Sequence, residues 1–234
     1  MTEKLSASLR SHNKEVFNLT PGIISEFCDI NHDPHADGGK FRVLIVGGDD
    51  PNKFEDEGLD IATKAVAELK DKSVCLVYVG AGKDSKKKFA KKFHDCGIAK
   101  SQLTIKSQLP NSKEGWAKLF CEVDLAIMPS SEKQFGMEAL LALSAGLPVL
   151  VHGDSGFGEA LSEVEFGDSA IVDSEDAGVW AKEIKKIKET ERKQRLDQAA
   201  VLRSNYDKKY NWEKQCGFLV RKMLGMVSGK KLII

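Results

Sequence analysis

The chain lacks the features that would mark a disulfide scaffold, a secreted precursor or a general nucleic-acid binder. Its five cysteines, Cys28, Cys75, Cys96, Cys121 and Cys216, are odd in number and scattered, and no two form a CxxC pair. That excludes a disulfide framework and a cysteine zinc site, and it implies a reducing, cytoplasmic setting. No apolar run opens the chain, so no secretory leader is expected. The longest apolar stretch, 140–152, is interrupted by Ser144, Gly146 and Pro148 and is too short to span a membrane. Charge of one sign is missing: 35 Lys+Arg meet 35 Asp+Glu, which argues against nucleic acid as a partner. The five histidines have no helical metal-ligand spacing; the one close pair, His32 and His35, lies in a loop, and no metal site is expected. With 41% hydrophobic and 30% charged residues over 234 positions, the chain can bury a core without staples.

What is present is a regular alternation. Short apolar runs at Phe41–Val46, Val74–Val79, Asp124–Met128 and Pro148–Val151 read as strands, with weaker ones at Gln102–Lys106 and Ala170–Val172. Between them, helical spacing covers Gly58–Leu69, Asp84–Cys96, Lys113–Val123, Gly136–Ala145 and Ala177–Thr190, with a short helix at Gly158–Val164. This predicts an α/β, doubly wound, Rossmann-like parallel sheet of about six strands, buried on both faces. Ligands of such sheets bind beyond the C-terminal strand ends. The expected organisation is a linker segment with a short strand over residues 1–40, the Rossmann-like domain over 41–190, and closing helices over 191–234. The apolar positions of that tail, Leu196, Ala200, Tyr206, Trp212, Phe218, Leu219 and Met223, are expected to pack on the body, Trp212 as an anchor.

Two phosphate-binding patterns fail. Gly80-Ala-Gly82-Lys83 has Val77 where a Walker loop needs its first glycine, and Asp84 where it needs Ser or Thr. Gly156-Phe-Gly158 is followed by Leu161 where a dinucleotide fingerprint needs Gly or Ala. The lysine run 86–88, with Lys91 and Lys92, reads as a solvated helix face.

The stretch 123–151, VDLAIMPSSEKQFGMEALLALSAGLPVLV, is the informative one. A buried strand ends in Pro129-Ser130, a polar loop follows, and Phe135-Gly136 opens a helix that Gly146-Leu147-Pro148 stops. Such a strand-to-helix turn aims free backbone N–H groups and a helix dipole at a ligand anion. Asp124, Met128-Pro129-Ser130, Phe135-Gly136, Ala142, Ala145-Gly146 and Pro148-Val149 resemble the donor motif of the retaining glycosyltransferases of the GT-B fold, group 1 or family 4-like. Asn18–Phe27, Phe41–Leu69, Ser155–Leu161 and Tyr210–Glu213 resemble further pieces of that family in the same order. The resemblance implies the C-terminal, nucleotide-sugar-binding half of a GT-B architecture, with a nucleoside diphosphate sugar as ligand and neighbouring domains of a longer chain as partners. On this basis Gly47, Gly48, Lys53, Gly80, Lys133, Phe135, Gly136, Met137 and Glu138 are the expected donor-binding residues.

The chemistry positions depart from the family. Alignment on Phe135-Gly136 places Lys133 where the family has the Glu that contacts the sugar, and Leu141 where it has the Glu that holds the ribose. Glu132 and Glu138 are the carboxylates left near those places. The family's two diphosphate-neutralising cations fall on Gly48 and Glu57, with Lys53 as a nearby substitute. Three readings follow: a donor half that is active only with a separate N-terminal domain, a degenerate donor-binding module inactive alone, and a protein-binding scaffold. The four substitutions favour inactivity. A flavodoxin-like domain would lack the Pro-Ser, Phe-Gly and Gly-x-Pro series.

Overall fold

A computed structural model of the chain describes residues 17–33, 39–107, 109–130 and 135–227. In chain order the regular elements are β1 (Phe41–Val46), α1 (Leu59–Glu68), β2 (Val74–Ala81), α2 (Lys86–Asp95), β3 (Leu103–Ser107), α3 (Lys113–Cys121) and β4 (Leu125–Met128). Then come α4 (Met137–Ser144), β5 (Val149–His152), α5 (Gly156–Ser162), β6 (Ile171–Val172), α6 (Ala177–Glu189), α7 (Arg192–Lys209) and α8 (Trp212–Val227). The strands form one sheet in the order β3-β2-β1-β4-β5-β6, and every pairing is parallel. This is the doubly wound order, and its chain reversal falls between β1 and β4.

Alternation along the strands divides the core. Val43 and Ile45 of β1, Leu76 and Tyr78 of β2, and Leu125 and Ile127 of β4 pack with α1, α2 and α6 on one face. Leu44, Val77, Val79 and Ala126 pack with α3, α4, α5 and α7 on the other. Both sets are buried, so the strands read in sequence as nearly unbroken apolar runs.

Two expectations are corrected. Residues 17–24 have no strand ladder. Their backbone is satisfied by side chains from distant elements: Thr20 N–H donates to Gln215 Oε1 at 3.0 Å, Ile24 N–H donates to Ser144 Oγ at 3.0 Å, and the Tyr206 hydroxyl donates to Pro21 O at 2.9 Å. The closing helices also divide unequally. α7 buries Arg195, Ala199, Leu202 and Tyr206, while Ala200 faces solvent. On α8, Trp212 is 46% exposed and Met223 57%, so Trp212 is no buried anchor. That role belongs to Trp180 of α6, fully buried with its indole N–H donating to Ser174 O at 2.7 Å. Among the described residues no helix is long and apolar enough to cross a membrane.

Candidate functional site

The β1 and β4 strands end side by side at the chain reversal, and a cavity of about 330 Å³ opens there. Its floor is apolar: Leu44 and Val46 of β1, Ala126, Ile127 and Met128 of β4, and Ala139 of α4. Gly47, Gly48, Glu57, Ser130, Gly136 and Glu138 supply its polar rim, and Leu109 closes one side. Among the described residues no Lys, Arg or His lines it.

The β1–α1 turn is held from several sides. Tyr78 OH donates to Gly48 O at 2.5 Å, and burial pushes that phenol well above its ordinary pKa. The Asp49 carboxylate accepts from Gly82 N–H and Ser85 Oγ, which lowers its pKa. Ser130 Oγ donates to Asp56 O at 2.8 Å, tying the loop to the end of β4. Glu57 turns inward, and its Oε2 accepts from Gly48 N–H at 2.9 Å. A methyl group on Gly47 would come within 2.5 Å of the same oxygen. A carboxylate of the chain thus already engages a backbone donor of the turn.

Across the cavity, Gly136 is the N-cap of α4 with φ 91°, a left-handed conformation that glycine supplies at least cost. A side chain there would also press within 2.5 Å of Met128 Cε. Glu138 sits in the first turn of α4, at the positive end of its dipole.

The expected site residues separate accordingly. Gly47, Gly48, Gly136 and Glu138 meet at the cavity. Gly80 is not part of the lining: a Cβ at this position would fall 1.9 Å from Gly47 O, so Gly80 lets the β1 turn pass close to β2. Phe135 packs toward the core against Phe157, with ring centroids 5.9 Å apart, and neither it nor Met137 is part of the lining. Lys53 is exposed on the Pro51–Lys53 turn and does not line the cavity either. Glu132, Lys133 and His35 lie outside the described residues. The expected set omits Glu57, Ser130 and Leu109. Glu57 was legible as a charge reversal, but its inward turn onto Gly48 is a matter of loop geometry.

Asp124 has a different place from the rest of the motif. It stands at the N-terminal end of β4, where its Oδ2 accepts from Arg42 N–H at 2.8 Å and its Oδ1 pairs with Arg192. The Arg195 guanidinium lies 3.6 Å from the same oxygen and donates to Thr190 O at 2.8 Å.

The six-stranded parallel sheet flanked by helices is a Rossmann-like α/β fold that matches the C-terminal domain of GT-B glycosyltransferases. The model of the family described as family 4 glycosyltransferases in conflict systems matches residues 1–219, and the chain belongs to that family. No curated protein matches it in sequence. Among solved structures it resembles the catalytic domain of cholesterol-α-glucosyltransferase from Helicobacter pylori, with 17% identity and a TM-score of 0.56 over 71% of this chain and 98% of that one. It resembles Anabaena HepE, solved with UDP and glucose, with 17% identity and a TM-score of 0.61 over 79% of this chain and 48% of that one. It also resembles a variant of S. aureus TarM, solved with fondaparinux, α-GlcNAc-glycerol and UDP, with 19% identity and a TM-score of 0.63 over 90% of this chain and 40% of that one. The chain therefore spans less than half the length of HepE and of TarM.

Proposed function

We propose that this chain is a glycosyltransferase-like donor module whose grip on nucleoside diphosphate sugars is weakened and which transfers no sugar on its own. The observation that carries this reading is the Glu57 carboxylate bonded to Gly48 N–H in a cavity whose described lining has no cation. A diphosphate needs charge-assisted donors, each worth about 1.5–3 kcal/mol. Stabilising the departing diphosphate is also the main electrostatic task in sugar transfer. Here the strand-end position suits a nucleotide, and UDP is the ligand in the HepE and TarM structures. The backbone donors at Gly47, Gly48 and α4 remain, but a carboxylate competes for them. In this reading a second domain supplies acceptor binding. The free thiols Cys28, Cys75, Cys96, Cys121 and Cys216 favour a place in the cytoplasm.

Titration calorimetry with UDP-, GDP- and ADP-sugars tests the reading. Two lost charged contacts weaken binding about a hundredfold, so heats are expected only at high ligand concentration, with no nucleotide release in a coupled assay. Low-micromolar affinity, or turnover by the chain alone, overturns it.

A further inference from the structure

The zero net charge conceals a strong separation of charge on one side of the sheet. The loop from Asp49 to Glu57 carries five carboxylates against the single Lys53. The segment from Lys83 to Lys91 carries five lysines against the single Asp84. The two segments lie side by side. Asp49 accepts from Gly82 and Ser85 just before α2, Phe54 packs on Phe93 with ring centroids 5.0 Å apart, and Lys92 Nζ lies 5.4 Å from the centre of the Phe54 ring.

Lys83, Lys86, Lys87, Lys88 and Lys91 are all exposed, and none has an ion-pair partner among the described residues. Asp50, Glu55 and Asp56 are likewise exposed and form no such pair. Three of the lysines occupy the first turn of α2, which has no acidic residue and no side-chain cap bond. That arrangement opposes the helix dipole, and a nearby anionic surface relieves it. Phe89 and Phe93 on the other side of α2 are fully buried, so the helix has no apolar face left for a membrane or a groove. What it offers is charge.

We propose that these adjacent patches form one self-complementary surface through which two copies of this chain associate about a two-fold axis. Each copy lays its basic α2 on the acidic loop of the other. A two-fold contact is isologous, so a surface with both signs side by side satisfies itself. A phosphate polymer docking on α2 would meet the carboxylates next to it, whereas a second copy answers them with its own lysines. Association of this kind requires no nucleotide in the cavity.

The test is a charge swap read by sedimentation equilibrium of the full chain at low and high salt. Wild type is expected to dimerise at low salt and dissociate as the Debye length falls to about 3 Å near 1 M. Lys87→Glu/Lys88→Glu cancels the net charge of the basic segment and leaves the loop acidic, and Glu55→Lys/Asp56→Lys cancels that of the acidic loop and leaves the helix basic. Each variant alone is expected to associate at least about tenfold more weakly than wild type, and their equimolar mixture to associate as a heterodimer. The milder pairs Lys87→Gln/Lys88→Gln and Glu55→Gln/Asp56→Gln, which keep side-chain size, are each expected to weaken association without reversing it. A monomeric wild type at low salt, variants that dimerise as wild type does, or a mixture that stays monomeric overturns the proposal. So does binding of labelled duplex DNA that only the lysine variants lose, since that would make α2 a nucleic-acid surface.

Discussion

The Asp124 carboxylate is taken up at both oxygens, by the Arg42 N–H and by the guanidinium groups of Arg192 and Arg195. All three ionic side chains are at most 15% exposed. Removing the aspartate leaves two shielded guanidiniums without their anion, and truncating one partner of such a set typically costs about 3–5 kcal/mol. Asp124→Ala is expected to lower unfolding free energy by roughly 3 kcal/mol in urea denaturation, while ligand binding at the opposite strand ends is unchanged. His32 sets a pH dependence. Its Nε2 lies 2.7 Å from Ala145 O, its Nδ1 is buried without a partner among the described residues, and burial lowers its pKa. A lowered folded-state pKa favours the neutral ring. Its contribution is therefore full above the unfolded value of about 6.5 and is lost as pH falls through the folded one. Thermal melts at descending pH are expected to lose stability below about 6.5 in wild type and less in His32→Gln.

Among the elements, α6 ties the domain together and α8 contributes less. Trp180→Ala opens a cavity in a fully buried position and is expected to cost about 3–5 kcal/mol. Trp212→Ala removes a half-exposed ring and is expected to cost less than about 1.5 kcal/mol. Equal losses in chemical denaturation would show that α8 is packed more firmly than its exposure indicates. α6 also reaches the turn before β2, where Lys188 pairs with Asp71. The Lys188 and Ser73 hydrogen bonds bring the Asp71 pKa down to about 2. This depressed value means that the pair's stabilisation is complete above about pH 4 and fades as pH falls toward 2; Lys188→Met is expected to flatten that acid limb. The four central strands were legible in sequence because both faces of the sheet are covered there, leaving apolar runs with few rivals, whereas the edge strands β3 and β6 gave weaker signals. Which tryptophan anchors the body was not legible, because Trp180 and Trp212 both sit on amphipathic helices and only packing distinguishes them. Residues 16–24 read as a short strand broken by Pro21-Gly22, yet the backbone of 17–24 finds its partners in side chains such as Gln215, 195 positions from Thr20.

For the whole molecule, the sheet order places the cavity where β1 and β4 end side by side. Gly47, Gly48, Gly136 and Glu138 could be placed from sequence because they immediately follow strands or open a helix at the chain reversal. Lys53 could not: it is exposed on the Pro51–Lys53 turn and is not among the residues that line the cavity. In the proposed reading the strand-end cavity keeps its shape but has no cation in its described lining. Calorimetry of UDP-glucose on wild type and on Gly48→Arg/Glu57→Lys tests it most directly. Gly48 has no positive φ, and the contact that would crowd a side chain there is with Glu57 itself, so the double change fits without backbone strain. Wild type is expected to bind weakly or undetectably and the double variant at least about tenfold more tightly. Tight binding by wild type, or no gain in a variant with an unchanged melting curve, would contradict this reading.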